Sequence, residues 1–329
     1  MRALALVQQT GLGGLTVMEL PDPVIQDPDS VLIRIHSAAL NHLDLFLTEG
    51  VKGISLQFPH IVGTDGAGTV HSIGSGVTAT RPGDRVLLNP GISCGTCAAC
   101  TAGEEPYCRK FGILGEHRSG TTAEYIVVPE RNVHKVPDWM SWSEAAAFPL
   151  STLTAWRMLT TRAKLRASEC VLIWGIGGGV SLAALQIVKH LGGRAFVTSS
   201  SARKLEKARE LGAEAGFNHG ELAPEAIAGE LRKLTDGGVH VVVDSVGART
   251  WEASLRALRP GGRLVTCGAT SGPEVALDLR RLFWFQWSLL GSTMGSAREF
   301  DEIMAHAHAG RFRPWNLFRR PREDLSDPG

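Results

Sequence analysis

The spacing of apolar residues along the chain changes near position 170. Before it, short apolar runs such as 31–35 and 85–88 are separated by Gly, Pro and Asp, which is typical of β-strands joined by turns. After it, apolar runs alternate with stretches of helical spacing. Apolar strands without alternation indicate a parallel sheet that is covered on both faces. The pattern therefore predicts an all-β first part and a doubly wound α/β second part.

The second part predicts six strands, expected at 171–174, 194–198, 215–218, 239–244, 262–267 and 287–292. Helices are expected at 180–191, 202–211, 224–234, 250–258, 278–283 and 299–309. Between the two parts, Ser141 with Glu144 three residues later is the signature of a capped helix start. Pro149 should end that helix, and a second helical run should cover 153–160.

A glycine-rich stretch, GIGGGVS at 175–181, lies between the first of these strands and the first helix. Glycines allow a tight turn and close approach to phosphates, and the helix N-terminus offers free N–H groups. A flexible loop is the alternative for the glycines alone. Because the stretch opens a six-strand α/β region, it predicts a dinucleotide-binding site.

Four cysteines, Cys94, Cys97, Cys100 and Cys108, lie in a loop-rich insert over 91–111. Short Cys-x2-Cys spacings let one turn present two thiolates to one ion, and four thiolates are typical of a closed, structural zinc site. We therefore expect one structural zinc. An iron–sulfur cluster or free thiols remain the alternatives.

Composition bounds the class of protein. A chain of 329 residues predicts two domains, and 43% hydrophobic residues are sufficient for a large core. The net charge of +1 without a basic run gives no sign of nucleic acid or an anionic membrane as a partner. No apolar run is long enough for a membrane span, and the start lacks the pattern of a signal peptide. We expect a cytoplasmic protein.

An all-β part, a four-cysteine insert and a dinucleotide domain, in this order, resemble the medium-chain dehydrogenase/reductase superfamily of zinc-containing alcohol dehydrogenases and quinone oxidoreductases. The turn at 83–86, Leu153-Thr154-Ala155, GIGGGVS and GGRLVTCGATSG match in order. The resemblance covers residues 1 to about 312. It implies a GroES-like β-barrel catalytic domain over 1–150 that carries the zinc lobe 91–111. A six-stranded Rossmann domain over 151–295 and a return to the catalytic domain over 296–329 follow.

Alcohol dehydrogenases of this family hold a second, catalytic zinc, and all three ligand positions are changed here. Asn41 replaces the first Cys, Thr64 the His, and 148–150 lacks the third ligand; Leu43 replaces the residue that relays the alcohol proton. A rebuilt site using His42, His60, Asp65 or His117 is an alternative. Without a Lewis acid, a quinone or conjugated carbonyl is easier to reduce than an isolated ketone. The resemblance thus implies a zinc-independent quinone or enone reductase that acts on a small molecule. An atypical alcohol dehydrogenase and a nucleotide-binding protein without turnover are the rivals.

The resemblance also implies cofactor contacts. The end of the second Rossmann strand carries serines and two cations but no carboxylate, which favours NADP(H) over NAD(H); serine as an N-cap is the alternative explanation. The expected cofactor-binding residues are Thr154, Gly175, Gly178, Gly179, Val180, Ser199, Ser200, Arg203, Lys204, Gly268, Ala269, Thr270, Ser292, Thr293 and Met294.

Asn41, His42 and Thr64 are the expected catalytic residues: Asn41 and Thr64 as donors to a carbonyl oxygen, His42 as a contact to phosphate or a proton source. Asp44 and Asp65 are expected to fix local backbone. The sixth strand resembles the family's dimer contact, so a homodimer or a dimer of dimers is expected. Residues 313–324 lack the family's final strand pattern; truncation, frameshift and natural divergence remain open.

Overall fold

The computed structural model describes residues 1–50 and 53–314. Its first part is an antiparallel barrel of the GroES-like type, as expected, around a five-stranded sheet of order β10-β6-β5-β3-β9. Two smaller sheets, β2-β1-β4 and β7-β8, complete it. The strands are β1 (Arg2–Leu6), β2 (Leu15–Glu19), β3 (Ser30–Ala39), β4 (His60–Ile61), β5 (Asp65–Ile73), β6 (Arg85–Leu88), β7 (Gly91–Ile92), β8 (Gly112–Ile113), β9 (Tyr125–Pro129) and β10 (Val133–Lys135).

Four helices belong to this part and its junction: α1 (His42–Glu49), α2 (Ala98–Thr101), α3 (Trp142–Ala147) and α4 (Pro149–Arg157). The capping box at Ser141 is confirmed, since its hydroxyl accepts from the backbone N–H of Glu144 at 3.3 Å. The second helix begins at Pro149 instead of 153, because proline's fixed φ suits the first position of a helix. A π-helical turn over Met158–Arg162 extends it.

The second part is a Rossmann sheet of six parallel strands in the order β13-β12-β11-β14-β15-β16, which confirms the predicted fold class. The strands are β11 (Cys170–Ile173), β12 (Arg194–Ser199), β13 (Ala215–Asn218), β14 (Val239–Asp244), β15 (Leu258–Thr266) and β16 (Ser288–Gly291). The helices are α5 (Gly179–His190), α6 (Ala202–Glu210), α7 (Pro224–Leu234), α8 (Ala248–Ala257), α9 (Leu279–Trp284) and α10 (Ala297–His308).

Three apolar clusters stabilise this arrangement. One lies inside the barrel around Ile33 and Leu88. The others cover the two faces of the Rossmann sheet, and the larger includes Phe148 of the α3–α4 junction and Phe300 of α10. Because this cluster contains side chains from barrel, junction and sheet, it packs the two parts of the chain against each other.

After α10, Phe312 is buried. The backbone N–H and C=O of Arg313 both bond to the Gln186 side chain of α5. The expectation of an atypical final segment falls mostly on 315–329, outside the described residues. Within the described part, no helix combines the length and apolarity that a membrane crossing needs.

Candidate active site and metal lobe

A cleft of about 300 Å³ lies between the barrel and the Rossmann sheet. Asn41, His42 and Asp65 line its barrel side, and Gly177 and Gly179 line the opposite side. Two of the three predicted catalytic residues therefore share one cavity with the glycine turn. The β3–β5 pairing brings this about, because it sets Ala39 opposite Asp65 and so places the start of α1 beside the start of β5.

Asn41 is the N-cap of α1 and forms a capping box with Asp44. Its backbone N–H donates to the Asp44 carboxylate at 2.7 Å, and the other oxygen of Asp44 accepts from the Gly63 backbone at 3.0 Å. Burial raises the pKa of Asp44, which these two hydrogen bonds oppose. Asp44 thus fixes local backbone, as expected, and ties α1 to the segment that carries Thr64.

Asp65 has two roles, of which the sequence predicted one. Its Oδ1 accepts from the Leu150 backbone N–H at 2.9 Å, and its Oδ2 accepts from Asn41 Nδ2 at 3.0 Å. The residue is 1% exposed, and this burial raises its pKa to about 7. A buried carboxyl on the wall of a cleft, with a pKa near neutrality, marks a candidate functional group; from the sequence, Asp65 is expected only to support backbone or to serve as a ligand in the alternative rebuilt metal site.

Thr64 is completely buried, and its Oγ1 has no hydrogen-bond partner among the described residues. An unpaired buried hydroxyl is unfavourable unless a water or ligand satisfies it. Thr64 does not line the cleft, however, so its hydroxyl is an unpaired group enclosed next to Asp65. His42 is exposed at the cleft and lies near the Phe46 ring, with 6.1 Å between ring centroids.

The residues at the family's catalytic-metal position do not fit a metal. Asn41 gives an amide N–H to Asp65, and Asp65 uses both oxygens on N–H donors. The rebuilt site also does not form: His60 Nε2 lies 2.8 Å from the Gly115 carbonyl, and His117 Nδ1 accepts from the Ile113 N–H. Throughout 1–50 and 53–314, the four cysteines are the single group of three or more ligating side chains that one ion could reach.

The four cysteines do fit a metal. Their sulfurs lie within 4.8 Å of one another, with separations of 3.5 Å for Cys94–Cys108, 3.6 Å for Cys97–Cys100 and 3.8 Å for Cys94–Cys100. A tetrahedral zinc with Zn–S bonds of about 2.3 Å has sulfur–sulfur edges of about 3.8 Å. The lobe thus has the ligand type and spacing of a closed four-thiolate zinc site.

The glycine turn has the geometry that a pyrophosphate site needs. Gly175 and Gly177 adopt φ of +69° and +129°, and Gly178 is the N-cap of α5. A Cβ on Gly179 would come within 2.9 Å of Ser151 on α4, so the turn also packs closely on the junction. Ser181 stands in place of the family's third glycine, and its hydroxyl donates to the Trp174 carbonyl at 3.0 Å, so α5 still packs closely against the end of β11. Val180 follows in the first turn of α5.

The end of β12 is built from serines. Ser201 caps α6 by accepting from the Lys204 N–H at 3.4 Å, so capping explains one serine. Ser199 is buried and Ser200 is exposed. The Lys204 side chain lies over the glycine turn, since its Nζ is 3.1 Å from the place where a Gly177 Cβ would be. Arg203 is exposed beside it.

His219 follows β13 and was not predicted. Its ring Nδ1 lies 3.3 Å from Thr198 Oγ1, and burial lowers its pKa. The signal that could have identified it is its position directly after a predicted strand, where parallel sheets hold ligands.

The residues predicted to lie beside the nicotinamide come from three places, α4 and the segments that follow β16 and β15, and a contact joins the first two. Thr154 of α4 is buried, and its hydroxyl lies 3.9 Å from the sulfur of Met294, which has φ of +48°. Ser292 Oγ is buried and has no partner among the described residues, whereas Thr293 is exposed. Gly268, Ala269 and Thr270 follow β15 beside Ser245, whose carbonyl accepts from the Thr270 N–H.

Comparisons with known proteins agree with this architecture. Residues 27–138 match the model of the alcohol dehydrogenase GroES-like domain, and 179–309 match that of the zinc-binding dehydrogenases. A zinc-type alcohol dehydrogenase-like protein of Leptosphaeria maculans is 32% identical over 91% of this chain and 84% of its own length. Acryloyl-coenzyme A reductase of Metallosphaera sedula is 31% identical over 92% of this chain and 87% of its own.

Among solved structures, an NAD-dependent alcohol dehydrogenase is 42% identical and superposes with a TM-score of 0.91, covering 96% of this chain and 91% of that one. Both halves of the chain, the fold and the cysteine lobe thus point to the same relatives. The chain belongs to the medium-chain dehydrogenase/reductase superfamily, a family of NAD(P)-dependent oxidoreductases that act on small molecules.

Proposed function

We propose that this protein is an NADPH-dependent reductase of quinones or α,β-unsaturated carbonyl compounds. One observation carries the proposal: the position of the family's catalytic metal is occupied by an amide, Asn41, held by a buried carboxyl, Asp65. A hydrogen-bonding group stabilises developing negative charge but polarises an isolated ketone less than a metal does. A conjugated substrate tolerates this, because its negative charge spreads onto an oxygen distant from the carbon that is reduced.

The chain's own groups have the following roles in the proposal. The reduced nicotinamide, when bound, supplies the hydride. Asn41 and Thr64 donate to the substrate oxygen, which the unpaired Thr64 Oγ1 supports. His42, exposed at the cleft, contacts the cofactor phosphates or supplies the proton. Thr154, Met294 and Ser292 would hold the nicotinamide, together with 268–270 and Thr293.

NADPH is proposed over NADH because β12 ends in serines, with Arg203 and Lys204 in the next turn. A carboxylate at this point would bind the ribose hydroxyls of NAD, whereas hydroxyls and cations suit a 2′-phosphate. The pyrophosphate is assigned to Gly175, Gly178, Gly179 and Val180.

The cysteine lobe is proposed to hold one structural zinc. Cys94, Cys97, Cys100 and Cys108 fill all four positions of a tetrahedral ion, so no position is left for substrate.

We also propose a homodimer or dimer of dimers through β16. This strand pairs only with β15 among the described residues, and Phe283 and Trp284 beside it are 67% and 76% exposed. Light scattering measures the assembly directly.

An alcohol dehydrogenase is the second candidate, favoured by the name of the 42% identical solved structure. The name of the acryloyl-coenzyme A reductase favours the first, because its substrate is a conjugated thioester. The third possibility, a nucleotide-binding protein without turnover, predicts binding of NADPH and no consumption.

A turnover panel tests these proposals. Purified protein is incubated with quinones, enones, aldehydes, ketones and primary and secondary alcohols, each with NADPH or NADP⁺ and with NADH or NAD⁺. Consumption of NADPH with quinones or enones supports the proposal. Turnover confined to alcohols and simple ketones, together with two zinc ions per chain by metal analysis, contradicts it.

A further inference from the structure

The Asn41 amide is held through its nitrogen. Its Nδ2 donates to Asp65 Oδ2 at 3.0 Å, whereas the backbone N–H of Asp44 donates to the backbone carbonyl of Asn41 at 3.1 Å. A carboxamide nitrogen carries two N–H groups. One is used by Asp65, and the second remains for the cleft, which both residues line.

Asp65 is itself held in one orientation. Its second oxygen accepts from the backbone N–H of Leu150, in the first turn of α4, where N–H groups have no partner within the helix. Its own backbone carbonyl accepts from Thr121 Oγ1 at 2.8 Å. The carboxylate cannot rotate without losing a hydrogen bond to either α1 or α4.

Few charges act on Asp65. Burial, together with a smaller effect of the Asp44 charge on α1, raises its pKa to about 7 against the effect of its two donors. β3 presents Ala39 opposite it, α4 presents a backbone N–H, and the loop of Thr121 presents a hydroxyl. His42 is the other titratable side chain on the same cleft wall.

We propose that Asp65 is a positioning residue that sets the Asn41 amide so that its nitrogen presents one N–H to the substrate oxygen. The inference rests on the proposed reductase function. Without the carboxylate, Asn41 can turn its oxygen into the cleft, where it would repel the developing negative charge. The ionised form of Asp65 is the one that accepts from Nδ2, whereas a proton on Oδ2 would face the amide N–H and weaken the interaction.

The first test reads the contact itself, with no need for a substrate. The side-chain ¹⁵N–H signals of Asn41 are recorded in protein labelled with [¹⁵N]asparagine and assigned by their loss in Asn41→Asp. The wild-type signals should shift with a midpoint near pH 7, and Asp65→Asn should abolish the shift. Asp44→Asn, a matched change that contacts the Asn41 backbone, should retain it. Signals that do not move between about pH 5.5 and 8.5, or that titrate equally in Asp65→Asn, overturn the proposal.

The second test reads the consequence. With a turned-over quinone or enone, Asp65→Asn should lower kcat/KM about tenfold, the usual size of one hydrogen bond to a charged group, with the KM for NADPH unchanged. Asn41→Ala should show a loss of the same order, and the double variant should lose no more than the larger single loss. Independent, multiplying losses overturn the proposal. If the wild type reduces none of the panel, the reductase function fails, and the NMR titration still decides whether Asp65 sets Asn41.

Discussion

Arg157 of α4 donates to Glu104 of the cysteine lobe at 2.7 Å and, through its other terminal nitrogen, to Glu299 of α10 at 2.8 Å. The side chains of Arg157 and Glu299 are 3% and 2% exposed, so this is a buried ion network. These ion pairs therefore join the cysteine lobe to α4, the helix that carries Thr154.

Replacing the central arginine should destabilise the protein strongly. Arg157→Ala leaves the Glu299 carboxylate buried without its cation, a change that costs about 3–5 kcal/mol. Urea unfolding measures the loss. Lys233→Ala breaks an exposed ion pair with Glu230 and should cost less than about 1 kcal/mol. Equal losses in the two variants would contradict a special role for the buried network.

Loss of the lobe metal should reach the cofactor side through the same contact. Cys100→Ser should reduce bound zinc from one ion to less than one per chain, lower the thermal midpoint and weaken NADPH binding. The reason is that Glu104, four residues from Cys100, then loses its fixed position beside Arg157. Cys170→Ala, a buried cysteine outside the lobe, should retain the zinc. Full zinc content in Cys100→Ser would refute the assignment of the lobe.

Cofactor preference should depend on α6. Arg203→Ala and Lys204→Ala should each weaken NADPH binding about tenfold, with little change for NADH, because a charge-assisted contact to the 2′-phosphate is lost. Fluorescence titration gives both constants. Lys207→Ala, one turn further along and paired with Glu210, is the control. Equal weakening for the two cofactors would place these cations on the shared pyrophosphate instead.

Asp65 should leave a mark on the pH dependence of stability. Its folded pKa of about 7 lies above its unfolded value, so the folded state binds more protons between about pH 4 and 7. Its contribution is present below the unfolded pKa and is lost as pH rises through 7. Relative to Asp65→Asn, the wild type should lose about 1.4 kcal/mol per pH unit between pH 5 and 7. Parallel stability curves from urea unfolding would rule this out.

The features that could be predicted from the sequence are those that depend on residues close together in the chain. The βα alternation, the capping box at Ser141 and the cysteine spacing each depend on a few consecutive positions, and each appears in the structure. The contact between Asn41 and Asp65 joins residues 24 apart in the chain. It depends on the β3–β5 register, which local patterns do not specify. The contact between His219 and Thr198 of the neighbouring strand depends in the same way on the pairing of strands.

Helix α4 sets the relative positions of three groups that belong to different parts of the molecule. Its first turn offers the Leu150 N–H to Asp65, its middle carries Thr154, and its last residue, Arg157, meets the cysteine lobe. A helix rises about 1.5 Å and turns about 100° per residue. Inserting or deleting one residue between Leu150 and Arg157 would therefore rotate the groups on one side of the change by about 100° relative to those on the other side. A chimera that takes the cysteine lobe or the cleft residues around Asp65 from a relative must therefore take α4 from the same relative.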